Sequence, residues 1–402
     1  MQRETRDAPV MDVNYFTEEW NADPYPGLEA IRAAGPIVFN PRTNDWMVPG
    51  YQLGARVQAN ARRYKAVEEL GQLFGGITME FVDTPLHHEL RGVWAKDFQR
   101  ETLQRQRAMI DEIVATRVGP FVERVRDGET VEAIANMTRG IPVLVIARML
   151  GVSGDDVQRF SDWSDRMGGI VAGMVDESPA GAEMLQRGLD ATAELNAFIA
   201  EQIAARRARP TGDLISAMTH SDVARRVSEQ DLVASNTQLV FAGNETTAKL
   251  MASTLVALAR HPDQRHAIVA DRSLVPQAIE EVHRWETVAQ VGYRDVHNGD
   301  AEIDGIVVPD GSRVCILLGA CNRDAARWED PSRFDIFREP QSHLGFGFGM
   351  HSCLGLNLAR LELEVWLNQI LDAIPECELA EDVSYGTNFV LRAPLSVHIR
   401  NP

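Results

Sequence analysis

The sequence predicts a mainly α protein with small peripheral β-sheets. Two observations predict it. Three long stretches, Arg100 to Val125, Ala182 to Ala208 and Ser228 to Arg260, repeat apolar residues at three- and four-residue spacing with few internal Gly or Pro. Strand-like pieces, by contrast, are few, short and set beside turn residues.

Taken in order, Ile37 to Phe39 and Trp46 to Val48 flank a turn at Pro41 and Asn44 and read as a hairpin. The longest apolar run, Ile141 to Val152, is interrupted by Arg148 and is too short to span a bilayer. The stretch from Ser228 starts with a Ser-x-x-Asp pattern resembling a capping box and ends before Pro262. It predicts a helix of about 33 residues, roughly 50 Å long at 1.5 Å per residue. Leu232, Leu239, Val240, Leu250, Thr254 and Leu258 fall on its buried side. Its middle reads Ala242-Gly243-Asn244-Glu245-Thr246-Thr247. Gly243 costs about 1 kcal/mol against Ala in a helix interior. A carboxylate and two hydroxyls there need partners. A kink, close packing at a small residue, or a functional cluster each account for the pattern.

Further on, Ile303 to Val308 and Arg313 to Leu318 read as a strand pair around Pro309-Asp310-Gly311, and Leu395 to Ile399 as a partner for Asn388 to Leu391. Leu354 to Leu371 has helical period. No repeat and no low-complexity linker is present. Length alone suggests two or three domains, but the pattern predicts one unit over 1–402, with 1–20 loosely ordered.

Composition narrows the function classes. The 402 residues are 45% apolar and 24% charged, with 40 Lys and Arg against 58 Asp and Glu, a net charge of −18. That balance opposes nucleic acid and anionic membrane as partners. Four cysteines (Cys315, Cys321, Cys353, Cys377) make no disulfide framework. Met1 to Val10 carries four charges and no apolar core, so no secretory signal is expected. A cytoplasmic protein with reduced thiols follows, one of them available as a metal ligand or nucleophile.

The chemistry concentrates in one run, His343-Leu-Gly-Phe-Gly-Phe-Gly-Met-His-Ser-Cys-Leu-Gly355. Gly345, Gly347 and Gly349 permit backbone conformations closed to other residues and the close approach of a flat ligand. Cys353 falls just before a predicted helix, where backbone N–H groups favour a thiolate. His351 lies two residues away as a donor to a negative group.

Phe346-x-x-Gly349-x-His351-x-Cys353-x-Gly355 resembles the haem-thiolate signature of the cytochrome P450 family. The resemblance extends from about residue 20 to the C-terminus and implies the P450 fold: a triangular helical prism with haem between a long central helix and the cysteine-loop helix. It implies haem b held through the Cys353 thiolate, Phe346 beside the sulfur, and His351 on a propionate. Gly347, Gly349 and Gly355 shape the loop. Glu281-x-x-Arg284 matches the family's Glu-x-x-Arg pair, and Arg333 in Pro331-Ser-Arg-Phe334 fits its third member. Asp83-Thr-Pro-Leu-His87-His-Glu-Leu-Arg91 resembles the segment above the haem edge; His87 and Arg91, four apart, share a helical face and reach a propionate. Thr84 stands where the family usually has a first proline. Arg294 matches a further propionate ligand. Asp23-Pro24-Tyr25-Pro26 and Asn322-Arg323-Asp324 also sit at family positions.

The same resemblance gives the long helix a role. Ala242 and Gly243 leave room for oxygen, Thr246 releases its hydroxyl from the helix backbone, and Glu245 relays protons. The implied reaction puts one atom of O2 into a C–H bond and the other into water, using two electrons and two protons. Family members driven by peroxide commonly lack this acid–alcohol pair. With the haem unit expected to use nearly the whole chain, electrons come from a ferredoxin and its reductase. Residues 96–107 hold four basic and two acidic side chains. Lys96, Arg100, Arg105 and Arg107, joined by Arg360, are the expected docking cations. The expected substrate is small and hydrophobic, with Gln238, Phe241, Ile77, Phe81, Val291 and Phe389 about it. Small aromatic acids and aryl ethers are the first class, terpenoid or natural-product intermediates the second. A monomer is expected. Two other classes remain: a haem carrier without turnover, which has no use for Glu245-Thr246, and a zinc protein using Cys353, Cys315, Cys321 and His351, whose spacing fits no compact zinc pattern.

Overall fold

The longest element is the helix Glu229–Arg260. Ser228 caps it through Asp231, whose carboxylate answers the Ser228 N–H, completing the capping box the sequence predicted. The computed structural model describes residues 8–152, 156–176 and 178–402. They form two compact units, one from the described part of Met1–Val67 with Glu281–Cys353 and Tyr385–Arg392, the other from Glu68–Glu280, Leu354–Ser384 and Ala393–Pro402.

The first unit is built on a five-stranded sheet. Val38–Asn40 and Asp45–Val48 form the expected hairpin, and Asp45–Val48 continues in parallel to Arg313–Leu317. Arg313–Leu317 then pairs antiparallel with Val291–Val296, and Tyr64–Lys65 closes the far edge. The pairing of residues 303–308 with 313–318 does not form. Ala301–Ile303 folds onto Ile306–Val308 instead. Asp304 and Gly305, at φ 49° and 82°, make the Asp-Gly turn that matches strand twist. Pro309-Asp310-Gly311 only links that hairpin to the main sheet. Residues 8–20 are anchored rather than loose. Met11 N donates to Phe39 O at 3.0 Å, and the buried Tyr15 stacks on Phe389 at 5.1 Å. Residues 1–7 of that segment lie outside the described residues.

Asp45 carries a testable cost. It is 2% exposed, and its Oδ1 has no hydrogen-bond partner. Burial raises its pKa from 3.8 to about 6, against the Thr43 hydrogen bond and the Arg313 charge, which lower it. A raised carboxyl stabilises the fold in its protonated form. That contribution is full below about pH 4 and is lost as pH rises through about 6. Asp45→Asn is therefore expected to raise the unfolding free energy at pH 8 by about 2 kcal/mol and to change little at pH 4. Urea titrations at the two pH values check it.

The second unit is helical. Expected helix 100–125 is two helices, Arg100–Gln104 and Arg107–Arg126, because Arg105 and Gln106 turn through i→i−3 bonds to Thr102 O and Leu103 O. Pro179–Ala208 and Leu356–Ala373 form where expected. Gly140–Met149 takes up the apolar run and is buried along most of its length. No helix among the described residues is long and apolar enough to cross a membrane. His398–Arg400 pairs with Val131–Glu132 and Glu378–Leu379, not with 388–391. Leu391 instead makes a single bridge to Ala289 in the first unit.

The long helix lies in this second unit. Leu232, Leu239, Val240, Leu250, Thr254 and Leu258 are all buried, as their spacing predicted. It runs unbroken through Gly243. A Cβ there would stand 3.3 Å from Ile146 Cγ1, so the glycine lets helix Gly140–Met149 pack closely instead of making a kink.

Candidate active site

The cysteine loop is shaped by two left-handed glycines, Gly347 at φ 68° and Gly349 at φ 75°. A side chain at Gly349 would also meet Ala59 Cα and Gln58 O at 3.0 Å. Cys353 N donates to Phe346 O at 2.8 Å and closes the loop. Three residues pin it from outside. Gln58 Oε1 accepts from Phe348 N at 3.0 Å, Asn322 Oδ1 accepts from Leu344 N at 2.7 Å, and His283 meets the Phe346 ring edge-on at 4.3 Å. Gln58 and His283 carried no sequence signal. Of the four thiols, Cys315, Cys321 and Cys377 are buried and Cys353 is exposed. Burial pushes the Cys315 and Cys321 thiols well above their usual range. No group of three or more His, Cys, Asp or Glu among the described residues is placed to hold a metal ion, which removes the expected zinc alternative's geometry.

Behind the loop, Glu281 and Arg284 form a buried two-bond ion pair at 2.7 and 2.8 Å. Arg284 also donates to Asn322 O, Pro331 O and Arg333 O, and Glu281 Oε1 accepts from Asp335 N. The expected third member is corrected. Arg333 turns its carbonyl to Arg284, which sends its side chain, 62% exposed, outward to Asp335 at 2.6 Å. Arg338, 3.5 Å from Glu281 and 11% exposed, occupies the place assigned to it.

Arg294 sits half-buried on the strand Val291–Val296 and donates to Tyr293 O. Phe389 is not a pocket wall: Tyr15 and Trp20 cover it and leave 1% exposed. Val291 belongs to the same packed cluster.

In the second unit the long helix changes character at its middle. From Leu232 to Leu258, Phe241, Ala242, Gly243, Glu245, Thr246 and Lys249 are the residues not buried. Thr246 Oγ1 donates to Ala242 O at 3.3 Å, so here its hydroxyl is still on the backbone. Thr254 makes the same bond to Leu250 O at 2.7 Å. Glu245 pairs with Lys249 at 2.8 Å, and Asn244 reaches Ser164 from the buried side. On the helix Leu86–Trp94, His87 is buried, its Nδ1–H donating to Met79 O at 2.8 Å, and Arg91 lies one turn on, half-buried. Phe74, missed in the sequence, joins Phe81 at 6.2 Å and Phe241 at 5.6 Å. Ile77 is exposed beside them. Gln238 is buried and donates to Glu80, a second residue the sequence reading missed.

The sequence is 32% identical over 396 residues to the cytochrome P450 monooxygenase PikC of Streptomyces venezuelae, covering 96% of this chain and 91% of that protein. The chain belongs to the cytochrome P450 family. The family profile "Cytochrome P450" matches residues 182–374. Similarity extends to the vitamin D3 dihydroxylase of Streptomyces griseolus, 33% identical over 81% of this chain and 75% of that one. Among solved structures, CYP109E1 from Bacillus megaterium in complex with testosterone superposes with a TM-score of 0.84, at 26% identity, over 96% of this chain and 99% of that one. The chain has the cytochrome P450 fold and is an oxidoreductase of the monooxygenase class.

Cytochromes P450 carry haem on a cysteine thiolate. The residues of the cysteine loop fit such a group: an exposed cysteine in a glycine-shaped loop with the half-buried ring of Phe346 and the exposed ring of Phe348. On the surface, Lys96, Arg100 and Arg105 are exposed. Two expected docking cations are already engaged: Arg107 pairs with Glu364 at 2.9 Å, and Arg360 with Glu280 at 2.7 Å.

Proposed function

We propose that the protein is a ferredoxin-fed monooxygenase that hydroxylates a C–H bond of a hydrophobic, ring-bearing substrate, with Cys353 as the iron ligand and His87, Arg91, Arg294 and His351 on the propionates. Bound there, the haem supplies the metal at which O2 is reduced and split. The half-buried residues Phe241, Ala242, Gly243, Glu245 and Thr246, on either side of the buried Asn244, carry the reading, since a purely structural helix would bury them like their neighbours. Ala242 and Gly243 add little bulk there. Thr246 holds its helix carbonyl by a long bond and gives it up more easily than Thr254 would, freeing a hydroxyl to move a proton. Glu245, kept close by Lys249, takes protons from solvent and relays them to that hydroxyl.

The relatives favour the larger of the substrate classes the sequence suggested. One is named for vitamin D3, and a similar structure holds testosterone. A fused-ring substrate of this kind fits the aromatic trio Phe74, Phe81 and Phe241 better than a small aromatic acid does.

Ferredoxin delivery rests on the three exposed cations. Lys96→Glu with Arg105→Glu is expected to slow reduction by an acidic ferredoxin about tenfold or more and to leave reduction by dithionite unchanged. Stopped-flow reduction with each donor reads both rates. Equal slowing with dithionite would remove the docking site from this face.

A further inference from the structure

Glu245 touches more than its own helix. The helix Asp156–Met167 and the residue after it meet the middle of the long helix twice. Asn244 donates to the buried Ser164 hydroxyl. Four residues on, Gly168 faces Glu245: a Cβ there would stand 2.8 Å from Oε2 and 3.2 Å from Oε1. The carboxylate therefore lies over bare backbone, with Lys249 Nζ 2.8 Å from Oε1.

Asp165 stands one turn before Gly168, on the same helix face. Its side chain is 37% exposed, against 18% for Glu245, and it pairs with Arg139 at 3.4 Å. Partial burial pushes the Asp165 carboxyl up, Arg139 pulls it down, and the charges of Glu245 and Asp162 push it up again. Among the described residues, the charged groups about it are Asp162 and Arg166 on its own helix, Arg139 ahead of helix Gly140–Met149, and Glu245 and Lys249 on the long helix. Arg166 is taken up by Asp162 and Glu194. Glu245 can relay only what it receives. Lys249 is a poor source, because an ammonium holds its proton about six pKa units more tightly than a carboxylic acid. Asp165 is the more exposed carboxyl group, exchanges protons with water, and shares the face that Glu245 covers.

We propose that Asp165 is an outer positioning residue of the proton relay, acting only through Glu245 by handing it protons from solvent. The inference rests on the monooxygenase reading above and extends its relay outward by one residue. The protonated Asp165 carboxyl gives its proton to the Glu245 carboxylate and regains one from hydronium, leaving water; Glu245 passes its own to the Thr246 hydroxyl. The haem-loaded protein is turned over with a hydrophobic substrate, NADH, ferredoxin and its reductase, reading product per NADH and the solvent isotope effect in D2O. Asp165→Asn is expected to lower product per NADH about fivefold, with the lost electrons recovered as peroxide, and to raise the isotope effect. Asp165→Glu restores both. Asp162→Asn, an exposed acid on the same helix, leaves both within about twofold. Gly168→Ala, at a helical φ of −56°, keeps the fold, pushes Glu245 aside and matches Asp165→Asn. In parallel, 13C NMR of aspartate-labelled protein follows the Asp165 carboxyl, whose titration midpoint should fall in Glu245→Gln. Unchanged coupling in Asp165→Asn, an equal loss in Asp162→Asn, or a midpoint that does not move overturns the proposal. Wild-type protein with no product and no thiolate-type carbon monoxide band overturns the monooxygenase reading instead, while the NMR titration still reads the contact between the two carboxyl groups.

Discussion

Serine in place of Cys353 is expected to abolish monooxygenation while leaving the protein folded. The thiol is exposed, so its removal opens no cavity, and the loop is closed by backbone and side-chain bonds that do not involve sulfur. What is lost is the electron-rich thiolate that favours O–O cleavage. Product formation should fall by about three orders of magnitude or more, on the order of 4 kcal/mol of barrier. The reduced protein with carbon monoxide should lose its long-wavelength thiolate band. Serine at Cys315, Cys321 or Cys377 should keep the band, because burial holds those thiols protonated and away from a ligand. An unchanged spectrum in Cys353→Ser would reject Cys353 as the ligand.

Arg284→Met is expected to carry the largest stability effect. It strips Glu281 of a partner inside the fold and leaves Asn322 O, Pro331 O and Arg333 O without their donor. Breaking a buried pair by removing one member costs about 3–5 kcal/mol, a large share of the roughly 5–15 kcal/mol that holds a typical domain. Asn322 also positions Leu344 at the base of the cysteine loop, so haem should be lost along with stability. Arg333→Met removes only the pairs of a 62% exposed guanidinium with Asp335 and Asp330 and should cost under about 1 kcal/mol. Urea unfolding of the two variants, with haem content read on the same samples, separates them. A comparable loss in Arg333→Met would restore that side chain to the network.

The contrast between these two arginines shows what was legible in the sequence. Cys353, His351 and the glycines lie within a dozen residues, and local backbone demands write such a loop directly into the chain. Glu281 and Arg284 are one helical turn apart and legible for the same reason. Their third partner required knowing which way a loop turns, and sequence position pointed to Arg333 where folding brought Arg338. Gln58 contacts Phe348 across 290 residues, and nothing local marks it. The hairpin at Ala301–Val308 was missed for a different reason: Asp304-Gly305 is a stronger turn signal than Pro309-Asp310-Gly311, and the longer turn was favoured over it. Phe389 reads as a pocket wall only while Tyr15, 374 positions earlier, is out of sight. Glu80 was overlooked because an exposed acid looks ordinary until its partner is a buried glutamine.

The central claim, that this chain splits O2 and inserts one atom into a C–H bond, is tested most directly by isotope labelling. Turnover of testosterone, or of another hydrophobic substrate that shifts the haem spin state, is run under 18O2 with NADH, ferredoxin and its reductase. The account predicts one 18O atom in each molecule of hydroxylated product and none from labelled water. Product whose oxygen comes from water, or NADH consumed with peroxide as the sole oxygen product across a substrate that shifts the haem spin state, would contradict it.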